Sequence, residues 1–193
     1  MFKDIVAASR SCRRFHEADR VSHDLLVDWV DTARLAPSSG NRQPLKYLIV
    51  SDPETCESVF SCLSWAAALP DWEGPEKGER PSGYIVITHD DALALGERFT
   101  AWDEGIAAQT IMLAAKSAGY GSCPIGAFGK RSLAEALGID CDVLEPDLVI
   151  ALGKPKEETV ISDMPEDGST AYWRDENRVH HVPKRPLKDV LLG

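Results

Sequence analysis

Three short apolar runs constrain this chain's fold most: Tyr47-Leu48-Ile49-Val50, Tyr84-Ile85-Val86-Ile87-Thr88 and Leu148-Val149-Ile150-Ala151-Leu152. Each is too short for a helix and is dominated by strand formers, and turn chemistry such as Asp52-Pro53 or Gly153 closes it. Continuous apolar runs of this length read as buried strands. Helical signals lie between and before them. The spacing predicts a short helix over 2–9 and a second one capped by Ser22, with Leu26, Val30 and Ala33 on one face, stopped by Pro37. Further helices are predicted over 54–68, from Asp103 to a C-terminal Gly119, and over 132–137. The 193 residues suffice for one hydrophobic core. The expected architecture is α+β, helices outnumbering strands around one mixed sheet, in a single domain spanning 1–193.

Two stretches fit no element. Residues 70–83 are rich in Pro, Gly and charge and exceed a typical connection. After Gly153 the chain turns polar, with Pro155, Pro165, Pro183 and Pro186, before a final short run at 187–192. A tail of that length without its own core must lie on something or stay disordered, and Tyr172, Trp173 and Val182 favour wrapping over disorder.

The chemistry concentrates in Ser9-Arg10-Ser11-Cys12-Arg13-Arg14-Phe15, a basic run in a chain of net charge −10. Guanidinium groups grip phosphate bidentately and serine hydroxyls complete such a shell. A local positive island in an acidic chain points to one small anionic ligand and against a nucleic-acid surface, which needs a broad basic field. A solvated turn is the plainer alternative. Nothing approaches the roughly 20 apolar residues that span a bilayer, and Lys3, Asp4 and Arg10 break any signal-peptide pattern. Five cysteines without a Cys-x-x-Cys pair predict reduced thiols and a cytoplasmic setting. No metal centre is predicted, because the adjacent His180 and His181 diverge and have no nearby cysteine. Gly129-Lys130 lacks the flanking residues of a phosphate loop, since positions 124 and 131 hold Pro124 and Arg131. Gly119-Tyr120-Gly121 follows a helix, not the strand that a dinucleotide fingerprint requires.

Taken in order, the segments resemble the nitroreductase family across nearly the whole chain. The blocks are Arg10-Ser11-Cys12-Arg13-Arg14-Phe15, the loop Ala36–Pro44 and Asp103–Gln109. Gly119–Phe128, Ala151–Pro155 and the basic pair Lys184-Arg185 follow. The resemblance implies an intertwined homodimer with a central, mainly antiparallel mixed sheet surrounded by helices, and residues 158–193 as an extended arm on the partner. It implies FMN as cofactor, held at the phosphate by Arg10, Ser11 and Lys184 or Arg185, with Arg13 toward the ribityl and pyrimidine side. Pro37, Ser38, Ser39 and Asn41 would cover the ring from the other subunit, and Pro124, Ile125 and Gly126 would lie against it. Two departures stand out: Ser9 replaces a basic residue common in the family, and Gly126-Ala127 replaces a Glu-Gly pair.

The implied activity is NAD(P)H-driven reduction of a nitroaromatic or quinone in two hydride transfers through flavin N5, with no catalytic side chain. Oxygen-dependent flavin fragmentation, reductive dehalogenation and non-catalytic flavin sensing remain alternatives on the same scaffold. Physical chemistry agrees that such a ligand needs basic donors at one end and an apolar slot at the other. Side-chain alternation aims Arg14 away from Arg13, hence toward solvent. Cys123 is expected to be a small buried apolar residue. Trp65 and Trp72 are open between the substrate side and core packing.

Overall fold

The computed structural model describes residues 1–66 and 72–192. Its centre is a four-stranded sheet of β1 (Leu45–Val50), β2 (Gly83–His89), β4 (Leu148–Gly153) and β3 (Gly121–Ile125), in that spatial order. All three ladders are antiparallel. Ser11 adds an isolated parallel bridge to Ser122 on the free edge of β3.

The strand pleat sorts the apolar runs onto two faces. Ile85, Ile87, Ile150 and Leu152 pack with Leu26 and Trp29 of α2 (His23–Ala33) and Ile111 of α4 (Glu97–Ser117). Tyr84, Val86, Val149 and Ala151 point the other way, to Val59 of α3 (Pro53–Cys62) and Leu133 of α5 (Lys130–Leu137). Helices therefore cover both faces of β2 and β4, which is why those runs contain no polar alternation. The short α1 (Phe2–Ala8) leads into the basic run.

Several boundaries differ from the sequence expectation. α3 ends at Cys62, not near 68, because Leu63 turns extended and bridges to Phe128, and the Ser64 N–H donates to the Ala127 carbonyl at 2.8 Å. The last part of that predicted helix, 67–68, lies outside the described residues. α4 starts at Glu97, six residues before Asp103, whose carboxylate serves another segment instead of capping the helix. At its other end Gly119 (φ 77) closes a Schellman motif: the Tyr120 N–H reaches the Ala115 carbonyl and the Gly119 N–H that of Lys116. α5 begins at Lys130, two residues before the predicted start.

The strand β3 was not expected from its composition. Gly121 and Pro124 are poor strand residues, yet an edge position tolerates the missing proline N–H. The tail also carries elements that were not expected. β5 (Thr159–Asp163), β7 (His180–Lys184) and β6 (Trp173–Arg174) form a small sheet in that order, with β5 and β7 parallel. These strands are too short to show a period. A last turn, α6 (Leu187–Val190), follows. The tail sheet is fastened to its own chain: the buried Glu157 carboxylate accepts from the Arg13 N–H and, at 3.0 Å, from Arg174 Nη2. No helix among the described residues is long and apolar enough to cross a membrane.

Candidate functional site

The basic run is clamped between the edge of β3 and the segment after β4. The Cys12 N–H donates to the Ser122 carbonyl at 2.8 Å, the His16 N–H to the Lys154 carbonyl, and the Lys156 N–H to the Arg14 carbonyl. Two glycines permit this close approach. A Cβ at Gly121 would stand 2.9 Å from the Cys12 Sγ, and one at Gly153 would stand 3.0 Å from the fully buried Phe15 ring. Neither neighbour can retreat, because both are tied through their backbones. Gly121→Ala and Gly153→Ala should each lower the unfolding free energy by about 1–3 kcal/mol in chemical denaturation.

Extended geometry sends alternate side chains apart. Arg13 lines a cavity of about 440 Å³ with Pro124, Ile125 and Gly126, joined by Trp65 and Tyr172. Its guanidinium lies 5.0 Å from the centroid of the Tyr172 ring and has no ion-pair partner among the described residues. The same cavity is lined by apolar strand residues and by Trp65, whose indole Nε1 is buried without a partner among the described residues. Trp65 also packs on Phe60 at 5.7 Å, so it serves both core and cavity. Burial pushes the Cys123 thiol up to about 11 and that of Cys12 up to about 12. Neither is a thiolate nucleophile at neutral pH.

Arg14 departs from the expected solvated position. Its side chain is only 13% exposed and forks onto Glu79, through Nε and through Nη2 at 2.5 Å, while Lys156 Nζ meets the same carboxylate at 2.9 Å. These two cations hold the Glu79 carboxyl down to about 2, Arg14 more than Lys156. Glu79 belongs to the irregular 70–83 stretch, and its carbonyl also accepts the Phe15 N–H. The described part of that stretch is thus a brace for the arginine run.

Arg10 faces elsewhere. It lines a small cavity of about 40 Å³ with Ser9, Lys116 and Ser122, where its Nη2 donates to the Val6 carbonyl at 2.7 Å. Arg10 Nε and Ser9 Oγ are buried there without partners. Ser11 pairs with β3 at Ser122. Lys184 and Arg185 are exposed at the end of β7, and neither lines the cavity of Arg13 or that of Arg10.

Pro37 and Ser38 line a third cavity, of about 180 Å³, beside Tyr47, Asp103 and Ile106. The loop is held in an unusual backbone shape, with Gly40, Asn41 and Gln43 all left-handed (φ 56, 53 and 50). Such conformations need external support. Asp103, 3% exposed, supplies it: its Oδ1 accepts from the Ser39 N–H at 2.7 Å and from Ser39 Oγ at 2.8 Å. Ser38 Oγ accepts the Gln43 N–H at 3.1 Å. Within one chain, then, Arg13 and 124–126 come together, whereas 37–41 open on different ground.

The sequence model described as "Nitroreductase family" matches residues 6–154. The Bacillus subtilis (strain 168) protein named "Putative NAD(P)H nitroreductase YdgI" is 25% identical over 90% of this chain and 97% of its own length. A "Putative NADH dehydrogenase/NAD(P)H nitroreductase" of Archaeoglobus fulgidus is 28% identical over 78% of this chain and 83% of its own. Among solved structures, a nitroreductase from Desulfovibrio desulfuricans described as putative and "in complex with fmn" superposes with a TM-score of 0.71. It is 22% identical, and the match covers 100% of this chain and 95% of that one.

Proposed function

From a chain that belongs to the nitroreductase family, we infer an FMN-dependent NAD(P)H oxidoreductase acting on an electron-poor acceptor such as a nitroaromatic or a quinone. One observation carries this reading: the Arg13 guanidinium, without an ion-pair partner among the described residues, stands on the wall of an otherwise apolar, aromatic-lined slot made by Pro124, Ile125 and Gly126. The names of the relatives and the FMN of one structural neighbour support it.

The residues present fit a flavin nucleotide. The slot's size falls within the usual range for ligand pockets, roughly 300–1,000 Å³, and its glycine and proline backbone lets a flat ring approach closely. The buried, unpartnered Arg10 Nε and Ser9 Oγ are donors suited to a phosphate. When bound, FMN supplies the redox chemistry, accepting a hydride at N5 from NAD(P)H and passing it to the acceptor. Arg13 keeps its positive charge at any working pH and so favours the electron-rich reduced ring. Trp65 and Tyr172 add aromatic surface on which a flat ring can stack. Lys184 or Arg185 is assigned to the phosphate with Arg10 and Ser11.

The reading includes a homodimer. Phe99, Trp102 and Ile106 form an exposed apolar stripe along α4 (38%, 50% and 40% exposed), beside the loop that Asp103 holds. A second copy on that stripe would bring Pro37, Ser38, Ser39 and Asn41 over the partner's ring, and the arm of residues 158–193 is assigned to the partner contact through the surface that its small sheet leaves exposed.

Purified protein should be yellow, or become so on adding FMN. Its flavin absorbance should bleach anaerobically with NADH or NADPH and return with a nitroaromatic or a quinone. Failure to take up FMN overturns the reading. Bound flavin that nicotinamide never reduces would favour a sensor, and loss of the flavin itself in oxygen would favour fragmentation.

A further inference from the structure

His89, Glu104 and Asp147 reach one point from three elements: the end of β2, the middle of α4 and the residue before β4. One ligand atom from each lies within 4.8 Å of the other two. The frame beneath them is stiff. His89 pairs in register with Leu45, the Asp147 N–H donates to the Ile87 carbonyl at 2.9 Å, and Thr88 Oγ1 donates to the Glu145 carbonyl at 2.6 Å.

The histidine carries the chemical hint. Its Nδ1 lies 2.7 Å from Asp147 Oδ2 and its Nε2 lies 3.1 Å from Asp91 Oδ1. Both ring nitrogens therefore face carboxylates, Nδ1 toward the cluster and Nε2 toward the exposed Asp91. Nδ1 is the ring nitrogen aimed at Asp147, with Glu104 alongside. An imidazole fixed by an outer carboxylate and converging with ligand groups is the usual arrangement around a bound metal ion. The nearest ammonium, that of Lys130, is already engaged by Glu145.

We propose that His89, Glu104 and Asp147 bind a divalent transition-metal ion, best matched by Zn²⁺. One nitrogen and two carboxylate oxygens suit zinc, whereas Mg²⁺ and Ca²⁺ prefer oxygen alone. Zinc bonds of about 2.1 Å set tetrahedral ligands about 3.4 Å apart, so the 2.7 Å His89–Asp147 pair opens slightly while the flexible Glu104 side chain rotates inward, and a water takes the fourth position. Entry is open, since the His89 and Asp147 side chains are 22% and 13% exposed. The ion would tie β2, β4 and α4 together one residue from Asp103. It plays no part in the flavin reading, and either can fail alone.

The test uses the full chain, stripped with chelator and dialysed, then titrated calorimetrically with Zn²⁺ and separately with Mg²⁺. One Zn²⁺ per chain should bind and raise the thermal midpoint, with Mg²⁺ far weaker. His89→Gln and Asp147→Asn should each weaken zinc binding by roughly a hundredfold. Glu104→Gln, on the helix surface, is the variant to use if either of those fails to fold. Asp142→Asn should bind like the parent. Absence of a zinc isotherm, equal binding of Mg²⁺, or unchanged affinity in the ligand variants overturns the site.

Discussion

Glu79→Gln should lower the unfolding free energy by about 3 kcal/mol at neutral pH, an effect as large as a core truncation. Glu79 is the shared anion of Arg14 and Lys156, and its carboxyl is held at about 2 from an ordinary 4.5. Glutamine leaves two cations facing each other beside the buried Phe15. The sign with pH follows from the depressed value. A carboxylate with a lower value in the folded state stabilises fully above about 4.5, and that contribution fades as pH falls toward 2. The difference between parent and variant, measured by urea denaturation, should therefore be flat above about pH 5 and shrink steadily below it. A difference that stays constant down to about pH 3 would mean that packing, not charge, sets Glu79's contribution. Arg14→Ala should cost less, since Lys156 still pairs with the carboxylate.

That brace marks the limit of what was legible beforehand. The strands β2 and β4 could be read because burial on both faces writes an unbroken apolar run, and β1 because its partly to fully buried residues 47–50 are all apolar strand formers. β3 could not, because an edge strand in close contact with Cys12 needs glycine and tolerates proline, which look like loop. Alternation along the basic run correctly separated Arg13 from Arg14, but alternation gives a direction and not a destination. The Glu79 partner lies 65 residues away, inside a stretch whose composition shows no pattern. Asp103 read as a helix start for the same reason: a carboxylate bonding a loop 64 residues back looks in sequence like a cap. His89, Glu104 and Asp147 were invisible because no spacing rule joins an end of β2, a turn of α4 and the approach to β4. Family blocks, by contrast, were legible where the backbone itself is constrained. Gly153 is set by the ring of Phe15, and Gly121 by Cys12.

Arg13→Ala should weaken FMN binding roughly 10- to 100-fold, the loss expected for one charge-assisted hydrogen bond to a ligand. Fluorescence titration of free FMN reads this directly, because bound and free flavin differ in emission. The prediction separates binding from folding. Arg13 has no ion-pair partner among the described residues, and its contact with Tyr172 is a half-exposed cation–π pair of about 0.5–1 kcal/mol. The Arg13→Ala midpoint of unfolding should thus stay close to the parent's while flavin affinity falls. Arg14→Ala should do the reverse, lowering stability first and losing flavin only as the run loosens. Arg13→Lys restores charge without the planar fork and should recover part of the affinity. Equal flavin affinity in parent and Arg13→Ala would place the flavin's polar edge away from this slot.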